Sequence, residues 1–174
     1  THTDAVNAGK RETVTFVKIW KGGLRTRNGN FITAVNGGGL GGPNTGPQAV
    51  ALHTDATKAG PWERFTLQWL DPAHKKFALK MPSGHYLSAV RGGGIGGANN
   101  ASSPIHTDAS WLGPWEILTL VYDEGTGIVT IQTPNGRYLT AVNGGGFGGQ
   151  DTLPIHTDAK EPREWETFSF VVLK

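Results

Sequence analysis

The chain has 174 residues, enough for one compact domain with a shared apolar core. Its 16 basic and 14 acidic residues give a net charge of +2 without any basic stripe, so a pI near 9.0 does not point to nucleic acid. No stretch approaches the ~18 apolar residues of a bilayer span, and no cysteine is present to pair or to reveal a redox compartment.

The leading segment already anticipates the rest. His2-Thr3-Asp4-Ala5 and Glu12 to Val17 copy His156-Thr157-Asp158-Ala159 and Glu166 to Val171, with Arg11 where Trp165 stands. Residues 1–19 therefore read as a partial repeat. Glu12 to Ile19 is either a closing N-terminal strand or a remnant of a longer array, and either it or the C-terminal strand takes the slot beside the first hairpin. Three full repeats follow at about 20–72, 73–123 and 124–174, a period in the range of repeat architectures. Each carries an aromatic with a short apolar stretch, then a glycine-rich loop: 36–42, 91–97 and 143–149. Each continues with His-Thr-Asp-Ala from His53, His106 and His156, then Trp-Glu at 62–63, 115–116 and 165–166.

The second repeat shows the strands best. Lys76 to Met81 alternates polar and apolar, Pro82-Ser83-Gly84 turns, and His85 to Val90 returns. Pro104 to Asp108 is a third strand, and Trp115 to Tyr122, after the Gly113-Pro114 break, is a fourth. No segment has helical spacing with caps. Four strands in each of three units, none able to bury its apolar face alone, predict an all-β chain. The expected architecture is a β-trefoil, a six-stranded barrel closed by three hairpins, forming one domain over 1–174.

Several residue sets are candidates for chemistry, each with a plain structural alternative. The glycine-rich loops lack the Lys-Ser or Lys-Thr and the helix of a phosphate loop. They serve either tight reversal at positive φ or close approach of a flat ligand to backbone amides, with Asn36, Arg91 and Asn143 as flanking donors. In His-Thr-Asp the first and third side chains share a side of the strand. His53, His106 and His156 are read as holding the hairpin, and Asp55, Asp108 and Asp158 as capping turn amides or touching a sugar hydroxyl. A metal is not expected, because a structural site wants about four ligands. Strand parity puts Glu63, Glu116 and Glu166 on the inward row at the barrel rim, level with Phe65, Leu118 and Phe168. Trp62, Trp115 and Trp165 then face outward. An outward Trp in every copy suits stacking on pyranose rings, with the Glu accepting hydroxyl hydrogen bonds. The alternative is that Trp packs under the glycine-rich loop while Glu bonds its amides.

Gly-x-Tyr-Leu-(Thr/Ser)-Ala-Val, the glycine-rich loop, His-Thr-Asp and Gly-Pro-Trp-Glu together resemble fascin-like β-trefoils over about Lys21 to Lys174. More narrowly, they are similar to carbohydrate-binding module family 92, trivalent modules that recognise β-glucans. The resemblance implies one sugar site per repeat around Trp62 with Glu63, Trp115 with Glu116, and Trp165 with Glu166. Arg91 in place of Asn, Pro162-Arg163-Glu164 in place of Gly-Pro, and the extra Trp111 make the three sites unequal.

The expected function is non-catalytic, multivalent binding of polysaccharide, β-1,3- or β-1,6-linked glucan above all. The alternative is a fascin-like module that binds actin or another protein. An enzyme needs one asymmetric pair of carboxylates, and nothing in the repeats supplies it. No cofactor and no membrane insertion are expected. A monomer is expected, in a secreted setting, as a mature product or a module appended to a carbohydrate-active enzyme.

Overall fold

In the computed structural model, residues 19–41, 50–96, 103–148 and 153–173 are described. The leading copy of His-Thr-Asp and residues 12–18 lie outside them, as do the last glycines of the three loops. Among the described residues, twelve strands form one antiparallel sheet system. They are β1 (Ile19–Arg25), β2 (Phe31–Ala34), β3 (Leu52–Ala56), β4 (Phe65–Asp71), β5 (Lys76–Lys80), β6 (Tyr86–Ala89), β7 (Ile105–Ala109), β8 (Leu118–Tyr122), β9 (Ile128–Gln132), β10 (Tyr138–Ala141), β11 (Ile155–Ala159) and β12 (Phe168–Val172).

Pairing closes a ring. β1 pairs with β4, β4 with β5, β5 with β8, β8 with β9, β9 with β12, and β12 returns to β1. The C-terminal strand therefore takes the slot beside the first hairpin. The other six strands form hairpins β2–β3, β6–β7 and β10–β11, each with the same register shift in the middle. Closure leaves the barrel without an exposed sheet edge.

The core repeats with the strands. Ile32, Leu87 and Leu139 stand at equivalent places, as do Leu52, Ile105 and Ile155, and all are buried. Phe65, Leu118 and Phe168 form another such set. One set is unequal: Phe170 stands where the other repeats have Leu67 and Leu120. Its larger ring fits because Gly22 occupies the place held by Phe77 and Val129. A Cβ on Gly22 would come within 3.0 Å of the Phe170 ring and 2.1 Å of the Val171 carbonyl oxygen. Away from the hairpins, Trp20 meets Trp69 edge-on at 5.7 Å between centroids, and Phe170 at 5.9 Å.

One expected strand is shorter than the sequence suggests. β8 begins at Leu118, and Pro114–Glu116 form a 3-10 turn ahead of it. Pro61–Glu63 and Glu164–Glu166 do the same in the other repeats. In the first two, Pro61 and Pro114 at the first turn position have φ preset and no amide to waste, which favours the turn over an extended start, whereas the third begins at Glu164 without a proline.

Candidate functional site

The three Trp-Glu pairs sit on these turns, not on strands as parity assumed. A 3-10 turn has three residues per turn, so neighbouring side chains diverge by about 120°. Trp and Glu still point apart, for a different reason. Glu63, Glu116 and Glu166 are 8 %, 8 % and 5 % exposed, while Trp62, Trp115 and Trp165 are 47 %, 44 % and 43 % exposed.

Each buried carboxylate closes its own turn. Oε1 accepts the amide three residues earlier, from Gly60 at 2.8 Å, Gly113 at 2.7 Å and Arg163 at 2.8 Å. Oε2 of Glu116 accepts from the Ser88 hydroxyl, and Oε2 of Glu166 from the Thr140 hydroxyl at 2.6 Å. Those hydroxyls belong to β6 and β10, so the Glu clamps the Trp turn to the hairpin. Neither Glu-to-loop bonding nor a freely exposed acceptor describes it. The hydroxyl partners were missed from sequence, although their signal, a Ser or Thr before every Ala-Val, is present. Replacing Glu116 with Ala strands the Gly113 amide and the Ser88 hydroxyl together, at about 1–3 kcal/mol per buried group left unpaired. We expect Glu116→Ala to lose about 2–3 kcal/mol of stability in urea titration. An unchanged midpoint would show that the clamp carries nothing.

The glycine-rich loops bridge the repeats cyclically. Gly39 donates to the Thr107 carbonyl at 2.7 Å, Thr107 returns its amide to Leu40 at 2.7 Å, and its Oγ1 accepts from the Leu40 amide at 3.1 Å. Gly94 and Ile95 make the same contacts with Thr157, and Gly146 and Phe147 with Thr54. The first loop thus holds the second repeat, the second holds the third, and the third holds the first. Each loop also docks on the next repeat's turn: Ser83 donates to Gly37, Asn135 to Gly92 and Asn28 to Gly144, at 2.8–3.0 Å. The loops' glycines thus have a structural occupation. Thr54, Thr107 and Thr157 are fully buried, and sequence reading passed over them as the middle of His-Thr-Asp.

The flanking Asn36 and Asn143 have φ of 58° and 56°, and Arg91 has 60°. Asn tolerates this left-handed conformation, whereas Arg gains nothing local to offset its cost. All three side chains are exposed beside the turns. Asp55, Asp108 and Asp158 are also exposed and lie against the preceding repeat's loop. A Cβ on Gly41 or Gly96 would stand 2.1 Å from an oxygen of Asp108 or Asp158, and one on Gly148 2.9 Å from Asp55. His53, His106 and His156 are half-buried on the hairpins, on the same side as these carboxylates. Among the described residues, no three His, Asp or Glu gather as metal ligands.

Burial holds His53 and His156 below the ordinary 6.5, and Asp55 and Asp158 raise them in part. The unfolded chain therefore takes up these protons first as pH falls through 6.5. Stability should be full above that value and fall below it. We expect the melting temperature to drop between about pH 7.5 and about pH 5.5, and less steeply with His53→Gln and His156→Gln combined. Identical slopes would remove these histidines from the account.

The surroundings of the three tryptophans differ. Trp62 has its ring edge 3.7 Å from where a Cβ on Gly37 would stand, so it leans on the loop yet keeps a face in solvent. Position 58/111/161 is Lys58, Trp111 or Glu161. Trp111 is 72 % exposed and lies 3.5 Å from the Cβ position of Gly113, at the start of the turn that carries Trp115. In the third repeat Arg163 pairs with Glu161 at 3.5 Å. There Trp165, Asp158 and Lys160 line an open groove of about 830 Å³, within the range of small-molecule sites.

A ring of six strands, three capping hairpins and three interlocked loops has clear parallels. ThreeFoil, a designed threefold-symmetric protein, superimposes with a TM-score of 0.63 at 16% identity, covering 88% of this chain and 99% of its own. The chain folds as a β-trefoil. SeviL, solved bound to asialo-GM1 saccharide, matches with a TM-score of 0.60 at 13% identity, over 90% of this chain and 100% of its own. The Rhizoctonia solani agglutinin matches at 0.61 and 13%, over 91% and 98%. No family model matches the chain, and no curated protein matches it in sequence.

Proposed function

We propose that this β-trefoil is a non-catalytic, trivalent carbohydrate-binding module, with β-glucan as its polysaccharide. The observation that carries the reading is the repeated turn: a half-exposed Trp beside a buried Glu that closes the turn, three times, with a second bond to the hairpin at Glu116 and Glu166. Such a clamp fixes an indole face before any ligand arrives, which lowers the ordering cost of binding. A flat aromatic face with polar rims suits the C–H face of a pyranose and its hydroxyls. SeviL offers a precedent on the same fold, since its structure holds a saccharide. The resemblance to carbohydrate-binding module family 92 supplies the β-glucan.

In this reading Trp62, Trp115 and Trp165 stack on the sugar. Glu63, Glu116 and Glu166 position the indoles and offer their remaining lone pairs to a hydroxyl. Asn36, Arg91, Asn143 and the three His-Asp pairs line the approaches, and Trp111 widens the second site. Polysaccharide outside the cell is the natural target. Cosedimentation with insoluble β-glucan and, in parallel, with filamentous actin tests it. Retention on glucan alone is expected. Retention on actin alone would transfer the reading to a protein-interaction module.

A further inference from the structure

Each junction between repeats carries a row of three side chains across neighbouring barrel strands. The register aligns Lys21 with Thr66 and Thr66 with Lys80. At the second junction the row is Lys76, Thr119 and Gln132, and at the third Ile128, Ser169 and Arg25. Two residues before the central member, on the same face, stand Arg64, Ile117 and Thr167. The first junction thus gathers three cations where each of the others holds one. Equivalent places in one fold tolerate neutral residues, so folding does not call for this charge.

The three cations line one cleft of about 640 Å³, and among the described residues no carboxylate lines it with them. Lys21 and Lys80 flank Thr66 with about 10 Å between their backbones, and like charges that close repel unless an anion lies between. The single cations elsewhere are engaged locally: Lys76 Nζ donates to Thr119 Oγ1 at 2.8 Å, and Arg25 Nε to the Gly29 carbonyl at 3.2 Å. In the crowded row, Arg64 is tethered through Nη1 to the Leu173 carbonyl at 3.2 Å, and the Lys80 ammonium lies 5.6 Å from the Tyr86 ring centroid. Two of the three charges are therefore held in place before any ligand arrives.

The cleft adjoins the first tryptophan. Its walls include Gly60 and Pro61, from the turn that presents Trp62, and Pro82 from the facing hairpin. Pro82 and Trp62 both lie within 4 Å of the Cβ position on Gly37. Lys58, two residues before Gly60, adds a further exposed cation.

We infer that this cleft is an anion subsite beside Trp62, taking the carboxylate or sulfate group of an acidic sugar. The first repeat then reads acid-bearing polysaccharide, whereas the second and third read neutral sugar. The inference rests on the carbohydrate reading of the tryptophans and extends it to substrate class.

The test is a titration of ¹⁵N-labelled protein with three oligosaccharides of equal length: a neutral β-glucan, a β-linked oligoglucuronate and a sulfated β-glucan. Shifts of the Gly60 amide and the Trp62 indole N–H report the first site, and the Trp115 and Trp165 indoles report the others. At about 20 mM salt, at least one acidic probe should bind the first site about tenfold more tightly than the neutral one, and about 0.5 M salt should erase the difference. The probe that gains tells uronate from sulfate. Lys21→Gln with Lys80→Gln should abolish the preference and leave neutral binding at Trp115 and Trp165 intact, whereas Lys76→Gln should change nothing. Melting curves of both variants should match the parent, because the exchanged residues lie at the surface.

Neutral glucan binding at all three sites without any acidic preference at the first would overturn the subsite and leave the carbohydrate reading standing. A preference that survives in the double variant would overturn it equally. No response to any saccharide would sink the carbohydrate reading itself, and the subsite with it.

Discussion

Gly93→Ala should lower the melting temperature by about 8–16 °C, from about 4 kcal/mol of lost stability. Gly93 has φ of 110°, where an L side chain is strained. Its added Cβ would lie 2.3 Å from Thr133 Oγ1 and 2.7 Å from Asn135 Oδ1. Neither neighbour can step aside cheaply. The Thr133 hydroxyl donates to Asn135 Oδ1 at 2.8 Å and accepts the Arg137 amide at 3.1 Å, while Asn135 Nδ2 donates to the Gly93 carbonyl at 2.8 Å. Strain of about 1–3 kcal/mol and overpacking of about 1–3 kcal/mol therefore add. Gly84→Ala is the control, because Gly84 also has positive φ, at 93°, but nothing lies within 4 Å of its Cβ position. It should show the strain alone. Equal melting of the two variants would mean that the second loop is not clamped to the third repeat, and the cyclic interlock would fall with it.

That interlock marks the limit of what sequence patterning reveals. The period, the alternation in Lys76–Lys80 and the returning strand Tyr86–Ala89 follow from local rules of burial and turn chemistry, and the barrel follows from them. The outward Trp and inward Glu were also anticipated, but through strand parity, whereas the 3-10 turn produces the divergence. What local rules do not carry is which loop meets which repeat. Leu40 and Thr107 are 67 residues apart, and no periodicity encodes their bond. The only trace is a Thr in the middle of every His-Thr-Asp, between two residues that face outward. The engagement of Glu116 and Glu166 by Ser88 and Thr140 was hidden in the same way. The crowding of Lys21, Arg64 and Lys80 becomes visible only once strand register sets β1 and β5 on either side of β4 and the residue that leads into it.

Single Trp→Ala variants should separate oligosaccharide binding from retention on polymer. Trp62, Trp115 and Trp165 keep nearly half their surface in solvent, so truncation costs far less than the about 3–5 kcal/mol of a fully buried aromatic. The fold should persist, and each variant should bind about a third less short β-glucan oligosaccharide per chain. Three turns spread around one rigid barrel cannot share a short ligand, so each site binds it independently and weakly. A long polymer is different. Once one site is engaged, the next binding event is intramolecular, and apparent affinity rises by about 10²-fold or more where the geometry permits. Combining two of the three changes should therefore remove most of that gain, while oligosaccharide binding falls only in proportion to the sites lost. Trp115→Ala should be the mildest of the three, because the exposed Trp111, packed against Gly113 of the same turn, remains as a second stacking face. Calorimetric stoichiometry together with affinity electrophoresis in β-glucan gels reads both quantities. A stoichiometry of one sugar per chain, insensitive to two of the three substitutions, would defeat trivalency. It would leave a single working site on a scaffold whose other two turns serve only the fold.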